Sequence, residues 1–274
     1  MRSRDLSIKT VNAAVVYLFS FLVIVPVLVM ILGSFKTSGE ALKFDLSLPK
    51  KFMFSNYLFV LDRGGIPLAF ANSLAITVAA AALTISSTAL CAFYIARAKT
   101  KMSSFLGNVF SIGLVAPFQI ITTFALLKLL NLIGSYAGVI LIYCAIQTPW
   151  SMYMFIQFVK SIPRDMDEAA YIDGAKPMTM FFRIILPLLK PVTATTTVMV
   201  VINVWNDFML PLYFLDSSKK WTMPLTVYNF FGQYFSDWNY VFADLVLTAL
   251  PIALLYLYFQ KYVIAGITSG AIKG

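Results

Sequence analysis

The sequence predicts an all-α protein, a polytopic membrane bundle of six transmembrane helices. Three observations carry that prediction. Of 274 residues, 60% are hydrophobic and only 12% are charged, whereas a soluble domain carries about a quarter charged residues. Six apolar runs reach the length of about 20 residues that a spanning helix needs. The charges collect in short segments between these runs.

The runs lie near 13–32, 68–95, 104–127, 136–159, 192–215 and 240–264. The first is long enough to span and lacks a cleavage signature, so it reads as a retained helix. Pro26, Pro117, Pro149, Pro211 and Pro251 fall within or beside the runs. Packed membrane helices tolerate proline because neighbours and water satisfy the freed carbonyls. No internal repeat or low-complexity linker interrupts the chain, so one membrane domain, 1–274, accounts for it. Cys91 and Cys144 sit inside apolar runs and read as small buried hydrophobes rather than as a disulfide or metal site.

Lysine and arginine set the orientation. With the N-terminus inside, the inner segments carry thirteen of them and the longer outer segments carry eight. Both termini and segment 160–191 are therefore expected in the cytoplasm, with loops 33–67 and 216–239 outside. The net charge of +9 lies beside the apolar runs, which fits anionic headgroups and topology control better than nucleic acid.

Segment 160–191 is a polar island. Asp165, Asp167 and Glu168 favour the positive end of a short helix, with Pro163 in its first turn. Gly174 is expected to stop that helix in a left-handed conformation. Pro177 can start a second helix, which Pro187 and Pro191 would break. Ala170 and Gly174, four apart, would share a face open to close approach by a partner.

Several chemistries are excluded. There is no histidine, which removes any Ser–His or Cys–His nucleophile pair and the commonest metal ligand. No Gly-x4-Gly-Lys-Ser/Thr phosphate loop occurs, so the chain itself is not expected to hydrolyse ATP or hold a cofactor. Asp207, in Asn203-Val204-Trp205-Asn206-Asp207-Phe208, is the best buried acid. An intramembrane carboxylate is a functional candidate, although a helix-packing polar network is an equal alternative. A secondary transporter or channel would need more charges within its spans than Asp207 and Asp244.

Glu168-Ala169-Ala170, three residues, then Gly174-Ala175, with Asp173 before the glycine and Ile184-x-Leu186-Pro187 after it, resembles the EAA loop of permease subunits in binding-protein-dependent ABC importers. Trp205-Asn206-Asp207-Phe208 with Pro211-Leu212, Trp221-Thr222-Met223-Pro224-Leu225, Asn72-Ser73-Leu74 and the segment 266–274 are similar to the sugar-importing, maltose-transporter type, in its shorter six-span partner. The resemblance implies a prokaryotic cell-membrane protein paired with a second EAA-loop permease, two ATPase subunits that bind ATP and magnesium, and an extracytoplasmic sugar-binding protein. Glu168, Ala169, Ala170, Asp173, Gly174 and Ala175 would then couple the permease to the ATPase. Gln119, Tyr143, Asn203, Asn206, Asp207 and Tyr213 have the chemistry to line a sugar path, though the resemblance places most of the membrane sugar site on the partner. Trp221, Tyr228, Asn229, Phe231, Gln233 and Tyr234 would meet the binding protein, or else form the aromatic belt that membrane proteins place at headgroup level.

Overall fold

The computed structural model describes residues 2–231 and 237–271, and among these the chain is almost wholly helical. The helices, in order, are α1 (Arg2–Ser34), α2 (Ser38–Ala41), α3 (Ser55–Arg63), α4 (Ile66–Arg97), α5 (Lys101–Gly113), α6 (Ile120–Leu129), α7 (Tyr136–Ser161) and α8 (Asp165–Ile172). There follow α9 (Pro177–Met180), a π-helical turn (Phe181–Ile185), α10 (Leu186–Leu188), α11 (Lys190–Asn206), α12 (Met209–Phe214), two 3-10 turns (Ser218–Lys220 and Met223–Asn229) and α13 (Trp238–Ala271). Two compact units emerge: Met1–Pro67 with Met223–Pro251, and Leu68–Thr222 with Ile252–Gly274.

Four helical stretches are long and apolar enough to cross a membrane: Val15–Ser34, Ile66–Arg97, Tyr136–Ser161 and Trp238–Gln260. They match the first, second, fourth and sixth apolar runs, and Pro26, Pro149 and Pro251 lie inside them without ending them. The third and fifth runs are not single helices. The third breaks between Gly113 and Ile120, around Pro117, whose ring removes a donor and restrains the residue before it. The fifth stops at Asn206, and Asp207 turns to an extended ψ of 129° before α12 begins.

In the first unit, the described side chains of α1 up to Ile31 are mostly exposed and apolar. Its far end is pinned by polar contacts. Asn56 is 3% exposed and donates to the carbonyls of Ser34 and Lys36 at 2.8 and 2.9 Å. It accepts from Asn239 at 3.1 Å. Lys36, though 1% exposed, donates to the Asp45 carboxylate, the Asp45 carbonyl and the Ser47 hydroxyl. A buried ammonium without such partners would be very costly.

The second unit packs two apolar cores along α4 and α7. Ile76, Ala80 and Ala81 of α4 meet Ile142, Val204 and Phe214 in one. Ala89, Ala92 and Ala96 meet Phe155, Val159 and Ile185 in the other. Alanines along this face of α4 let helix backbones approach closely, which is how membrane helices gain packing energy. Thr88 in the middle of α4 donates to the Thr84 carbonyl at 2.6 Å, so its buried hydroxyl is satisfied within its own helix.

Candidate functional site

The polar island forms the short helices expected of it, with differences. Pro163 precedes α8 instead of entering its first turn. Asp165, Asp167 and Glu168 do occupy that turn. The helix ends in a full Schellman stop: Gly174 has φ +75°, its N–H donates to the Tyr171 carbonyl at 3.0 Å, and the Ala175 N–H donates to the Ala170 carbonyl at 2.9 Å. Pro177 opens α9. Pro187 does not end the second helix. The π-helical turn just before it opens the backbone where the proline ring would otherwise meet the preceding carbonyl. The break falls after it, and Pro191 opens α11 at a 75° bend.

Ala170 and Gly174 do not share a free face. Ala170 is 5% exposed and turned inward, while Glu168, Ala169, Asp173 and Gly174 are exposed and Ala175 half-buried. What α8 presents outward is a pair of large apolar side chains, Tyr171 and Ile172, 78% and 84% exposed. Sequence reasoning missed both, and also missed what holds the helix. Arg97, the last residue of α4, places its Nε 2.6 Å from Asp167 Oδ2, and its Nη2 donates to the Ile162 carbonyl at 3.1 Å. One guanidinium thus ties together the ends of α4, α7 and α8.

The second cluster sits where the two broken runs meet. A cavity of about 480 Å³ is lined by Tyr143 and Gln147 of α7, Asn203 and Asn206 of α11, Asp207, and Phe118 from the break before α6. That volume falls in the range of ligand pockets, roughly 300–1,000 Å³. Of the residues expected on a path, Tyr143, Asn203, Asn206 and Asp207 are brought together. Gln119 and Tyr213 are exposed and lie outside this lining.

Within the cavity, Asp207 is already engaged. It accepts from the Tyr143 hydroxyl at 2.9 Å, from the Met209 N–H at 3.0 Å and from the Leu210 N–H at 3.4 Å. It caps the free amides of α12 and fastens the break to α7. Asn203 donates to Gln147 at 3.3 Å. The wall therefore offers amides and a phenol edge beside apolar faces, the mix that recognises neutral polyols.

The residues expected to meet a binding protein divide. Tyr228, Asn229 and Phe231 are exposed, and Asn229 donates to the Gly64 carbonyl at 3.0 Å. Trp221 is half-buried; its carbonyl and that of Lys219 accept from buried Asn72, at 3.0 and 2.9 Å. Asn72 also accepts from the Tyr136 hydroxyl at 2.9 Å, so it acts as a clamp on the segment before Thr222. Gln233 and Tyr234 lie outside the described residues.

The family described as "Binding-protein-dependent transport system inner membrane component" matches residues 88–269. The chain belongs to that family. The matched stretch holds α8, the Arg97 tie and the whole Asp207 cavity. Among its relatives, the permease is 34% identical over 257 residues to the multiple sugar-binding transport system permease protein MsmG of Streptococcus mutans, covering 92% of each chain. It is 32% identical over 263 residues to the arabinooligosaccharides transport system permease protein AraQ of Bacillus subtilis, covering 94% of this chain and 93% of that one. Its fold is similar to a chain in the crystal structure of a bacterial ABC transporter involved in the import of the acidic polysaccharide alginate, with a TM-score of 0.82, 22% identity, and coverage of 93% and 95%.

Proposed function

We propose that this permease is one of two membrane subunits of an importer that takes up a sugar or oligosaccharide delivered by an extracytoplasmic binding protein. The observation that carries the reading is α8, a short helix with a glycine stop, held by Arg97 and offering Tyr171 and Ile172 to a partner. Exposed apolar side chains rimmed by polar ones mark a docking surface. The partner is the ATPase subunit, which binds ATP and magnesium; this chain turns its cycle into movement of the spans. Relatives named for sugar transport support the substrate class.

In this reading the permease makes six passes. α5 with α6 is the third and α11 with α12 the fifth, each broken mid-membrane. Irregular backbone at membrane depth is tolerated where it is buried in protein or lines a water-filled cavity, and both breaks border the Asp207 cavity. That cavity is this subunit's share of the sugar path, opened to each side in turn. Segment 160–191 and both termini face the cytoplasm. Tyr228, Asn229 and Phe231 face outward toward the binding protein. The exposed apolar length of α1 is covered by lipid and the second permease.

The test is to co-express the permease with a candidate second permease and ATPase from the same organism, and to purify the assembly. Ile172→Asp should release the ATPase while leaving the two permeases paired. A variant that keeps the ATPase bound, with uptake at the wild-type rate, would sink the docking assignment.

A further inference from the structure

A further cavity in the second unit belongs to neither α8 nor the Asp207 cluster. It is a groove of about 1020 Å³ between α5, the last three turns of α7 and the turn that joins α4 to α5. Lys99, Lys101 and Lys160 stand on its rim, and Phe110, Leu114 and Ile156 line its apolar wall. No aspartate or glutamate lines it. None of the three lysines has an ion-pair partner among the described residues, whereas Arg97 and Lys220 of the same unit do.

The rim lies at a membrane surface. Lys160 sits in the last turn of α7, a stretch long and apolar enough to span. Thr100 caps α5 by accepting from the Ser103 N–H at 3.1 Å, so the positive end of that helix opens onto the same rim. The apolar wall runs from there along α5 to Leu114, at the break of the third run.

We propose that this groove binds an anionic phospholipid, its phosphate among Lys99, Lys101 and Lys160 and one acyl chain along Phe110, Leu114 and Ile156. Basic pockets between membrane helices hold acidic headgroups in this way, and a lysine near the surface contributes about fivefold in affinity. A free phosphate would use the rim and leave the apolar wall empty, so the groove favours a lipid. The inference requires only that the chain spans the membrane. It is independent of which sugar is carried and of how α8 couples. Because the groove adjoins the Arg97 end of α4, its occupant would steady the mount of α8.

The experiment uses the full assembly, stripped of lipid and titrated with phosphatidylglycerol or phosphatidylcholine, with retained lipid read by native mass spectrometry. Wild type should retain phosphatidylglycerol in preference. The triple variant Lys99→Gln, Lys101→Gln, Lys160→Gln should lose that preference, with retention about a hundredfold weaker at about fivefold per lysine. Lys128→Gln, far from the groove in sequence, should behave as wild type. If the triple variant fails to assemble, Lys160→Gln alone should cost about fivefold. Undiminished phosphatidylglycerol retention in these variants overturns the proposal. So does displacement of the lipid by inorganic phosphate alone, or efficient cross-linking of a cysteine at Phe105, which also lines the groove, to the second permease (Phe105→Cys), which would mean that a protein covers the groove.

Discussion

Arg97 and Asp167, seventy positions apart, meet with Nε 2.6 Å from Oδ2, and their side chains are only 12% and 17% exposed. The pair is a charge contact more than an aligned hydrogen bond, since Arg97 Nε has no hydrogen-bond partner by geometry. Removing Arg97 would strand the carboxylate and free the Ile162 carbonyl. Arg97→Ala should therefore loosen α8 by about 2 kcal/mol, below the 3–5 kcal/mol cost of breaking a fully buried pair. Amide exchange in residues 165–175 should accelerate while α7 stays protected. The swap Arg97→Asp with Asp167→Arg should recover part of the loss. Unchanged exchange in the single variant would show that α8 is held by something else.

Gly174 stops α8 at φ +75°, and a Cβ there would meet nothing within 4 Å. Strain in a substituted residue would thus come from the backbone alone, about 1 kcal/mol or more for a β-branched side chain. Gly174→Val should lower sugar-stimulated ATP hydrolysis or release the ATPase, Gly174→Ala less so, and Gly174→Asn least, because asparagine tolerates the left-handed region. Wild-type transport by Gly174→Val with the ATPase fully bound would refute the coupling role.

What could be read from the sequence depended on whether the signal was local. Gly174 and Pro177 punctuate the chain through their own backbone limits, so their roles were visible. Pro117 was visible as a proline in an apolar run, but not that α5 would end and α6 begin on either side of it. Pro187 misled because the preceding π turn absorbs what would have been a break. The Arg97–Asp167 tie and the Asn72 clamp join residues far apart in sequence, and no spacing rule brings such partners together. Asp207 was singled out as a carboxylate in an apolar run; that it spends itself on Tyr143 and two amides appears only in three dimensions.

Lys36 and Asp45 give the segment 36–47 a predicted acid response. The Lys36 ammonium, followed by Ser47, holds the Asp45 carboxyl down to about 2 from its ordinary 3.8. A carboxylate depressed in the folded state stabilises above its ordinary value, and that contribution is lost as pH falls through about 2. The segment 36–47 should remain protected from amide exchange at neutral pH and open as pH drops from about 4 toward 2. Asp45→Asn should remove most of this dependence. If it leaves the acid profile unaltered, the response belongs to another group.

The hydrogen bond from Tyr143 to Asp207, at 2.9 Å, separates two roles within one cavity. Asp207 accepts three donors, two of them backbone amides of α12, so its first task is to hold a helix break together. Tyr143→Phe and Asp207→Asn should each cost about 1–2 kcal/mol of stability, the price of a lost or unmatched buried bond. Sugar half-saturation should stay near wild type in whatever fraction remains folded. Asn203 and Asn206 are exposed and line the cavity; the Asn203 side chain donates to Gln147, whereas the Asn206 side chain has no hydrogen-bond partner among the described residues. Asn206→Ala should leave the melting temperature unchanged and raise the half-saturation for uptake about fivefold, as one lost hydrogen bond of about 1 kcal/mol allows. Reconstituted uptake of a panel of labelled oligosaccharides, read alongside thermal unfolding of the same preparations, distinguishes the two. If Asp207→Asn shifts half-saturation without loss of stability, the carboxylate touches the sugar. If Asn206→Ala changes neither quantity, the cavity is not this subunit's share of the path.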